Sequence, residues 1–238
     1  MGIVFRDVIA AHMLRFERPE RAPYDATVGT RLVMAFARVG LVLHPALGAL
    51  ARATGLAGEP WVGPAIVVTL LLAVAVVMRV VVRAGGGTIG VHRCGQWTPR
   101  ERLYAWTVIP PVAVAFAIVF RDRFAHLAAV HGMVGLLLVT VPMGLLWGMV
   151  QEFTYRGLLQ TELTRRLGGT AGVLIANLVF TFGPLHFGYF GLGTDTGPQW
   201  GMFSAIFGIG LLFGILYHRS GNLWIPAIMH GLWPLNMT

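Results

Sequence analysis

The sequence has few charged residues, a single cysteine and no lysine. Charged residues make up 12% of its 238 residues, about half the share found in an average soluble domain. So little charge cannot cover a globule of this size with polar surface, which excludes an ordinary soluble domain. Because Cys94 has no second cysteine to pair with, the chain forms no intrachain disulfide.

Long apolar runs take the place of the missing charge. Residues 60–82 hold one charged side chain, Arg79, and a run of roughly 20 apolar residues crosses a hydrocarbon core of about 30 Å. Several such runs predict an all-α fold, a polytopic transmembrane helical bundle of seven or eight spans. The count depends on residues 124–167, which form either one long bent helix or two spans broken near Pro142 and Gly144. The expected spans are residues 29–51, 60–82, 100–120, 124–167, 170–190, 199–218 and 222–237.

The patterns also divide the chain into three regions. We expect an N-terminal interfacial helix and linker at 1–27, transmembrane helices at 28–139, and a core at 140–238 that carries the candidate chemistry. The formal net charge is +8, and arginines cluster between the apolar runs, where basic residues meet lipid headgroups. The charge therefore indicates a lipid bilayer as partner and no nucleic acid, and it predicts an integral, multi-pass membrane protein.

Four ionisable side chains inside the late apolar runs are functional candidates, because each costs several kcal/mol to bury in a bilayer. Glu152 follows the stretch VPMGLLWGMV, and Arg156 lies four residues later on the same helix face. His186 and His230 lie inside later spans. Taken singly, each has a plain structural interpretation: an ion pair that only stabilises its helix, or a structural histidine.

Spacing brings these residues toward one level of the membrane. Gly168 and Gly169 predict a hairpin turn, and Glu152 and His186 lie 16 and 17 residues from it. On two antiparallel helices both side chains would be about 25 Å from the turn. A carboxylate and an imidazole at one level can hold a water and remove its proton, and the imidazole of His230 could donate to the resulting oxyanion. This arrangement predicts a hydrolase without a covalent nucleophile.

Three motifs give these residues a family context. They are Gln151-Glu152-x-x-x-Arg156, Phe182-x-x-x-His186 and the last-span segment IPAIMH, which ends at His230. In order and spacing, residues 140–236 resemble the CAAX-protease and bacteriocin-processing family of intramembrane glutamic endopeptidases.

The resemblance implies an endopeptidase of a bacterial inner (cytoplasmic) membrane that cuts a membrane-anchored protein or peptide near the membrane surface. It implies no cofactor and no metal. One branch of the family, the myxosortase-like proteins, processes C-terminal sorting anchors. The site residues that the resemblance implies are Gln151, Glu152, Arg156, His186 and His230.

Two departures from the family pattern leave alternatives open. Gln151 stands where the family has its water-activating glutamate, and Pro234 stands where it has an asparagine, with Asn236 two residues further on. Either Gln151 is an inactivating change, or Glu152 is the base, or the chain is a non-catalytic membrane binding or immunity relative. A zinc-dependent membrane protease is a further alternative, because one glutamate and two histidines can bind zinc, although the sequence has no His-Glu-x-x-His motif.

Overall fold

The computed structural model describes residues 25–191 and 197–232, and every regular element in these ranges is a helix. The predicted all-α fold is therefore confirmed. Residues 1–24 of the predicted interfacial helix and linker at 1–27 lie outside the described residues, as do Pro234 and Asn236. The helices are α1 Ala26–Ala53, α2 Val62–Val82, α3 Pro99–Val119, α4 Arg121–Leu167, α5 Gly169–Phe182, α6 Trp200–Ser220 and α7 Trp224–Gly231.

Five of these helices, α1, α2, α3, α4 and α6, are long and apolar enough to cross a membrane. A sixth span results if α5 is counted together with the short 3-10 helix Pro184–Phe190, from which it is bent by 54°. The total of seven or eight stays a prediction, since the last expected span runs into residues beyond 232. Large apolar side chains point outward, among them Trp106 at 79% exposure and Leu138 at 71%. Such a surface suits contact with lipid, and the chain is an integral membrane protein.

Helix starts follow the local sequence. Asp25 caps α1, its side chain accepting a hydrogen bond from the Val28 backbone N–H at 2.8 Å. At the start of α3, the Glu101 N–H donates to the Thr98 hydroxyl at 3.2 Å, and the Thr98 N–H donates to the Glu101 carboxylate at 2.6 Å. This reciprocal capping box satisfies two backbone donors that the first helical turn leaves open.

Helix α4 spans 47 residues as two helical stretches that meet at a kink. Its bend lies at Gly132, which has a φ of 71°, so the expectation of a break near Pro142 and Gly144 is wrong. The helix passes through Pro142 because residues Leu136–Thr140 before it are π-helical. A π segment shifts the hydrogen-bond register and makes room for a ring that would clash with the preceding turn.

The other helices pack around α4 at unusually short range. A Cβ on Gly148 of α4 would lie 2.6 Å from the Gly231 Cα of α7, and a Cβ on Gly231 would strike the Leu145 backbone. The turn expected at Gly168 forms there, with φ 80°, and α5 returns along α4. Glycine at these crossings lets backbones touch, so α7 lies directly against the part of α4 that carries Glu152.

The end of α4 carries a buried carboxylate. Glu162 is fully buried although it lies in the last turns of the helix. Its carboxylate pairs with Arg165 at 2.6 Å and with Arg166, and it faces Gly29 of α1, where a Cβ would collide with it. Glu162 is buried because α1 covers this turn, which only the tertiary arrangement decides.

Candidate active site

The centre of the candidate site is the buried ion pair of Glu152 and Arg156. Glu152 ends the α-helical stretch Val141–Glu152 of α4, and Arg156 lies in the π-helical stretch Phe153–Gln160 that follows. The Arg156 Nε is 3.4 Å from Glu152 Oε2, and both side chains are fully buried. π-helical segments occur frequently at functional sites.

His230 completes the pair from the opposite helix. Its Nδ1 is 2.8 Å from Glu152 Oε1. Because a carboxylate accepts, the Nδ1 of His230 carries the proton in this contact. The approach depends on the neighbouring residue Gly231, whose contact with Gly148 brings α7 against α4.

Arg156 is held on its other sides by α5 and α6. Its Nη2 donates to the Gly210 carbonyl at 2.9 Å, and its Cζ lies 4.7 Å from the centre of the Phe180 ring. A cation over an aromatic face is stabilised when both are desolvated. These contacts fix the guanidinium, which in turn fixes the orientation of the Glu152 carboxylate.

Two further side chains of the same region donate to α6. Gln160 Nε2 donates to the Gly214 carbonyl at 2.8 Å, and Asn177 Nδ2 donates to the Phe207 carbonyl at 3.0 Å. A Cβ on Gly214 would lie 3.1 Å from Gln160 Oε1. The small residues of α6 therefore allow close packing within the chain, and polar side chains of α4 and α5 anchor α6 beside the site.

His186 lies beyond the end of α5. The expectation that it continues an antiparallel helix is wrong, because α5 ends at Phe182 and the chain bends by 54° before the 3-10 helix. The bend lies at Gly183 and Pro184. It forms there because a proline disfavours helical backbone in the residue before it.

The tautomer of His186 follows from one contact. Its Nδ1 is 2.8 Å from the Phe180 carbonyl, and a carbonyl can only accept, so Nδ1 donates. In the neutral ring Nε2 is then the acceptor. The ring stacks on Tyr189 with centroids 5.9 Å apart, and the Phe180 ring lies between His186 and His230, at 5.0 and 5.8 Å.

A cavity of about 80 Å³ brings three of the predicted residues together, enough room for a few waters. Gln151, His186 and His230 form its polar wall. Aromatic and aliphatic side chains supply the rest: Phe180, Tyr189, Met202, Ala205, Ile206, Ile209 and Phe213.

Glu152 does not line this cavity. The sequence predicted a water held between Glu152 and His186, whereas the structure pairs Glu152 with His230 and puts Gln151 in the cavity wall with His186. The two neighbours on α4 point differently because adjacent residues are about 100° apart around a helix. In this geometry Glu152 orients a histidine, and Gln151 faces the space where a water can bind.

Sequence reasoning missed several residues of the site. Phe180 contacts Arg156, His186 and His230, and its carbonyl fixes the His186 ring. Its place six residues before His186 gave no sign of this, because the contact arises from the bend at residue 183. Tyr189 lay within three residues of a candidate histidine, a signal that could have identified it.

Metal binding has little geometric support. Among residues 25–191 and 197–232, no group of three or more His, Cys, Asp or Glu side chains is arranged to hold a metal ion. The zinc alternative has no ligand set in this part of the chain.

Comparison with known proteins agrees with the motifs. Residues 133–235 match the family described as type II CAAX prenyl endopeptidase Rce1-like. The uncharacterized protein YpbD of Bacillus subtilis (strain 168) is 31% identical over 86 residues, which are 36% of this chain and 36% of YpbD; the match thus spans about a third of that relative's length. No solved structure matches the chain. The resemblance predicted from the motifs is confirmed over these residues.

Proposed function

We propose, from the match of residues 133–235 to the Rce1-like family of type II CAAX prenyl endopeptidases, that the chain hydrolyses a peptide bond of a membrane-anchored protein or peptide near the membrane surface. The observation that carries the proposal is the cavity shared by Gln151, His186 and His230, with the Glu152–Arg156 pair buried behind it. Polar groups converging in an otherwise apolar cavity are typical of an active site.

His186 is the proposed general base. Its Nδ1–H is bound to the Phe180 carbonyl, so Nε2 can take a proton from a water in the cavity. The amide of Gln151 accepts a hydrogen bond from that water and orients it, but an amide is too weak a base to remove its proton.

The reaction then proceeds as an ordinary peptide hydrolysis. The water oxygen attacks the peptide carbonyl carbon as its proton moves to His186 Nε2. His230 is held at Nδ1 by Glu152, and in its imidazolium form it donates from Nε2 to the oxyanion. The C–N bond breaks, and His186 returns the proton to the leaving amine.

Glu152 is proposed as a positioning residue and not as the base. Its side chain is fully buried, with one oxygen directed to His230 and the other to Arg156. Both oxygens are engaged away from the cavity. The mechanism therefore departs from the glutamate-activated water that the family resemblance implies at residue 151.

The substrate class follows from the membrane setting. A chain in the inner membrane of a bacterium meets peptides tethered by an apolar anchor, and removal of a C-terminal anchor is the specific reaction we propose. The opposing hypothesis, a membrane binding or immunity protein that does not cut, is favoured by the two departures from the family pattern, Gln151 and Pro234.

The test is cleavage of membrane-anchored peptides by the purified chain in lipid vesicles. We expect the chain to cut and His186→Gln to reduce the rate about 10²–10⁴-fold, with His126→Gln as a control histidine outside the cavity. Gln151→Glu is expected to raise the rate, and a chelator to leave it unchanged.

Other outcomes separate the alternatives. If only Gln151→Glu cuts, residue 151 inactivates an otherwise conventional site. If His186→Gln retains full activity while Glu152→Gln loses it with its fold intact, Glu152 is the base. If no version cuts any anchored peptide, the binding hypothesis replaces the protease.

A further inference from the structure

A second, much smaller pocket lies behind Gln151, between α1, α2 and α4. Its volume is about 10 Å³, close to the roughly 10–15 Å³ that a single water needs. Four of its lining side chains are polar: His44 of α1, and Gln151, Thr154 and Tyr155 of α4.

Two hydroxyl groups in this pocket have no protein partner. The Oγ1 of Thr154 and the OH of Tyr155 are buried without a hydrogen bond, and the two residues are 3% and 2% exposed. Buried polar groups in proteins are nearly always hydrogen-bonded, to protein or to ordered water. Two orphaned hydroxyls, on neighbouring residues that both line one pocket, point to a bound water as their partner.

Gln151 is the wall between this pocket and the catalytic cavity, since it lines both. Its amide has two different ends, an oxygen that accepts and a nitrogen that donates. A partner bound on one side therefore decides which end faces the other side.

His44 is placed to control that partner. Its ring lies 5.2 Å from the Trp147 ring, and both residues also line a larger cavity of about 650 Å³ between α1, α2 and α4. The imidazole thus borders both the small pocket and the larger one, and can present a ring nitrogen to a water in the small pocket.

We propose that the pocket binds one water, held by His44, Thr154 and Tyr155, and that this water accepts a hydrogen bond from the Gln151 amide nitrogen. The Gln151 oxygen then faces the catalytic cavity, where it accepts a hydrogen bond from the attacking water. His44 is a positioning residue that acts through Gln151. The catalytic consequence rests on the proposed protease function, whereas the water site itself does not.

The water site is tested by the sign of a stability change. Deleting a hydroxyl that serves a bound water removes a hydrogen bond, whereas deleting an unpartnered hydroxyl relieves a burial cost. We expect Thr154→Val to lower the melting temperature in lipid by about 2–4 °C, and Tyr155→Phe to shift it in the same direction. The matched control is Thr181→Val, whose hydroxyl is also buried without a partner but lines neither pocket; it is expected to raise the melting temperature. A rise for Thr154→Val as well would overturn the water site.

The positioning role is tested by kinetics. We expect His44→Leu to lower kcat at least about 10-fold with KM unchanged, since about 10²-fold can follow from misplacing one catalytic group. His44→Gln, which keeps a hydrogen-bonding group, restores most of kcat. His131→Leu, on the wall of the larger cavity only, leaves kcat unchanged.

A double-mutant cycle shows whether His44 acts through Gln151. In the Gln151→Ala background, His44→Leu is expected to have no further effect on kcat. An equal loss in both backgrounds overturns the positioning role and leaves the protease proposal intact. If the chain cleaves no substrate, the protease proposal fails, and the melting temperatures still decide whether the pocket binds water.

Discussion

Substituting Gly148 by alanine should break the contact between Glu152 on α4 and His230 on α7. The added methyl group on α4 would meet α7 at 2.6 Å from the Gly231 Cα and 2.9 Å from the Ala227 carbonyl oxygen. These neighbours are backbone atoms, which cannot rotate aside as a side chain can. The helices must separate.

The size of the displacement sets the expected effect. Reaching an ordinary contact of about 3.6 Å requires a shift of about 1 Å. The same shift would stretch the 2.8 Å contact between His230 and Glu152 to about 3.8 Å, beyond hydrogen-bond range. Overpacking of this kind costs about 1–3 kcal/mol of stability, and a 1 Å misplacement of a catalytic group can cost about 10²-fold in rate.

The assay pairs melting temperature with cleavage rate in lipid, and Gly208→Ala is the matched control. Gly208 lies on α6 with no atom within 4 Å of an added Cβ, so this change should leave the rate intact and stabilise the helix by about 0.5–1 kcal/mol. Equal stability and equal rates for the two variants would refute the reasoning, because they would mean that α4 and α7 do not cross at glycine contact.

Three further substitutions test the buried polar groups by melting temperature. Glu152→Ala leaves Arg156 buried and unpaired and should cost about 3–5 kcal/mol; a loss below about 1 kcal/mol would contradict a buried pair. Glu162→Ala should cost only about 1 kcal/mol, because its arginine partners are 36% and 46% exposed and solvent screens such pairs; a loss as large as that of Glu152→Ala would contradict this. Gln160→Leu removes the hydrogen bond to the Gly214 carbonyl, and it also removes a buried side-chain oxygen that has no partner. Because the two effects oppose each other, stability should change by less than about 1.5 kcal/mol. A larger loss would show that the Gln160 oxygen has a partner.

The membrane character and the helix positions could be predicted because each depends on local sequence. The apolar run at 60–82 corresponds to α2, Val62–Val82, since hydrocarbon thickness sets the length of a span. The start of α3 follows from a capping box that two side chains and two backbone groups complete within four residues. The bend in α4 was misassigned because the π-helical turn before Pro142 accommodates the proline, and a single sequence gives no sign of that register.

The candidate residues could also be found from the sequence, because charged groups in apolar runs are rare and costly. The residues that each of them contacts could not be predicted from the sequence. The sequence suggested that Glu152 and His186 share a water, but Glu152 contacts His230 and Arg156 instead. The contact of Gly148 with Gly231 and the bend after Phe182 decide which side chains meet Glu152.

The sequence alone determined that this is a membrane-embedded bundle whose late apolar runs contain Glu152, Arg156, His186 and His230. Only the tertiary structure decided that Gln151 faces the cavity while Glu152 is buried behind it. The physical reason is that hydropathy and capping act over a few residues, whereas the direction of a side chain depends on how closely distant backbones approach.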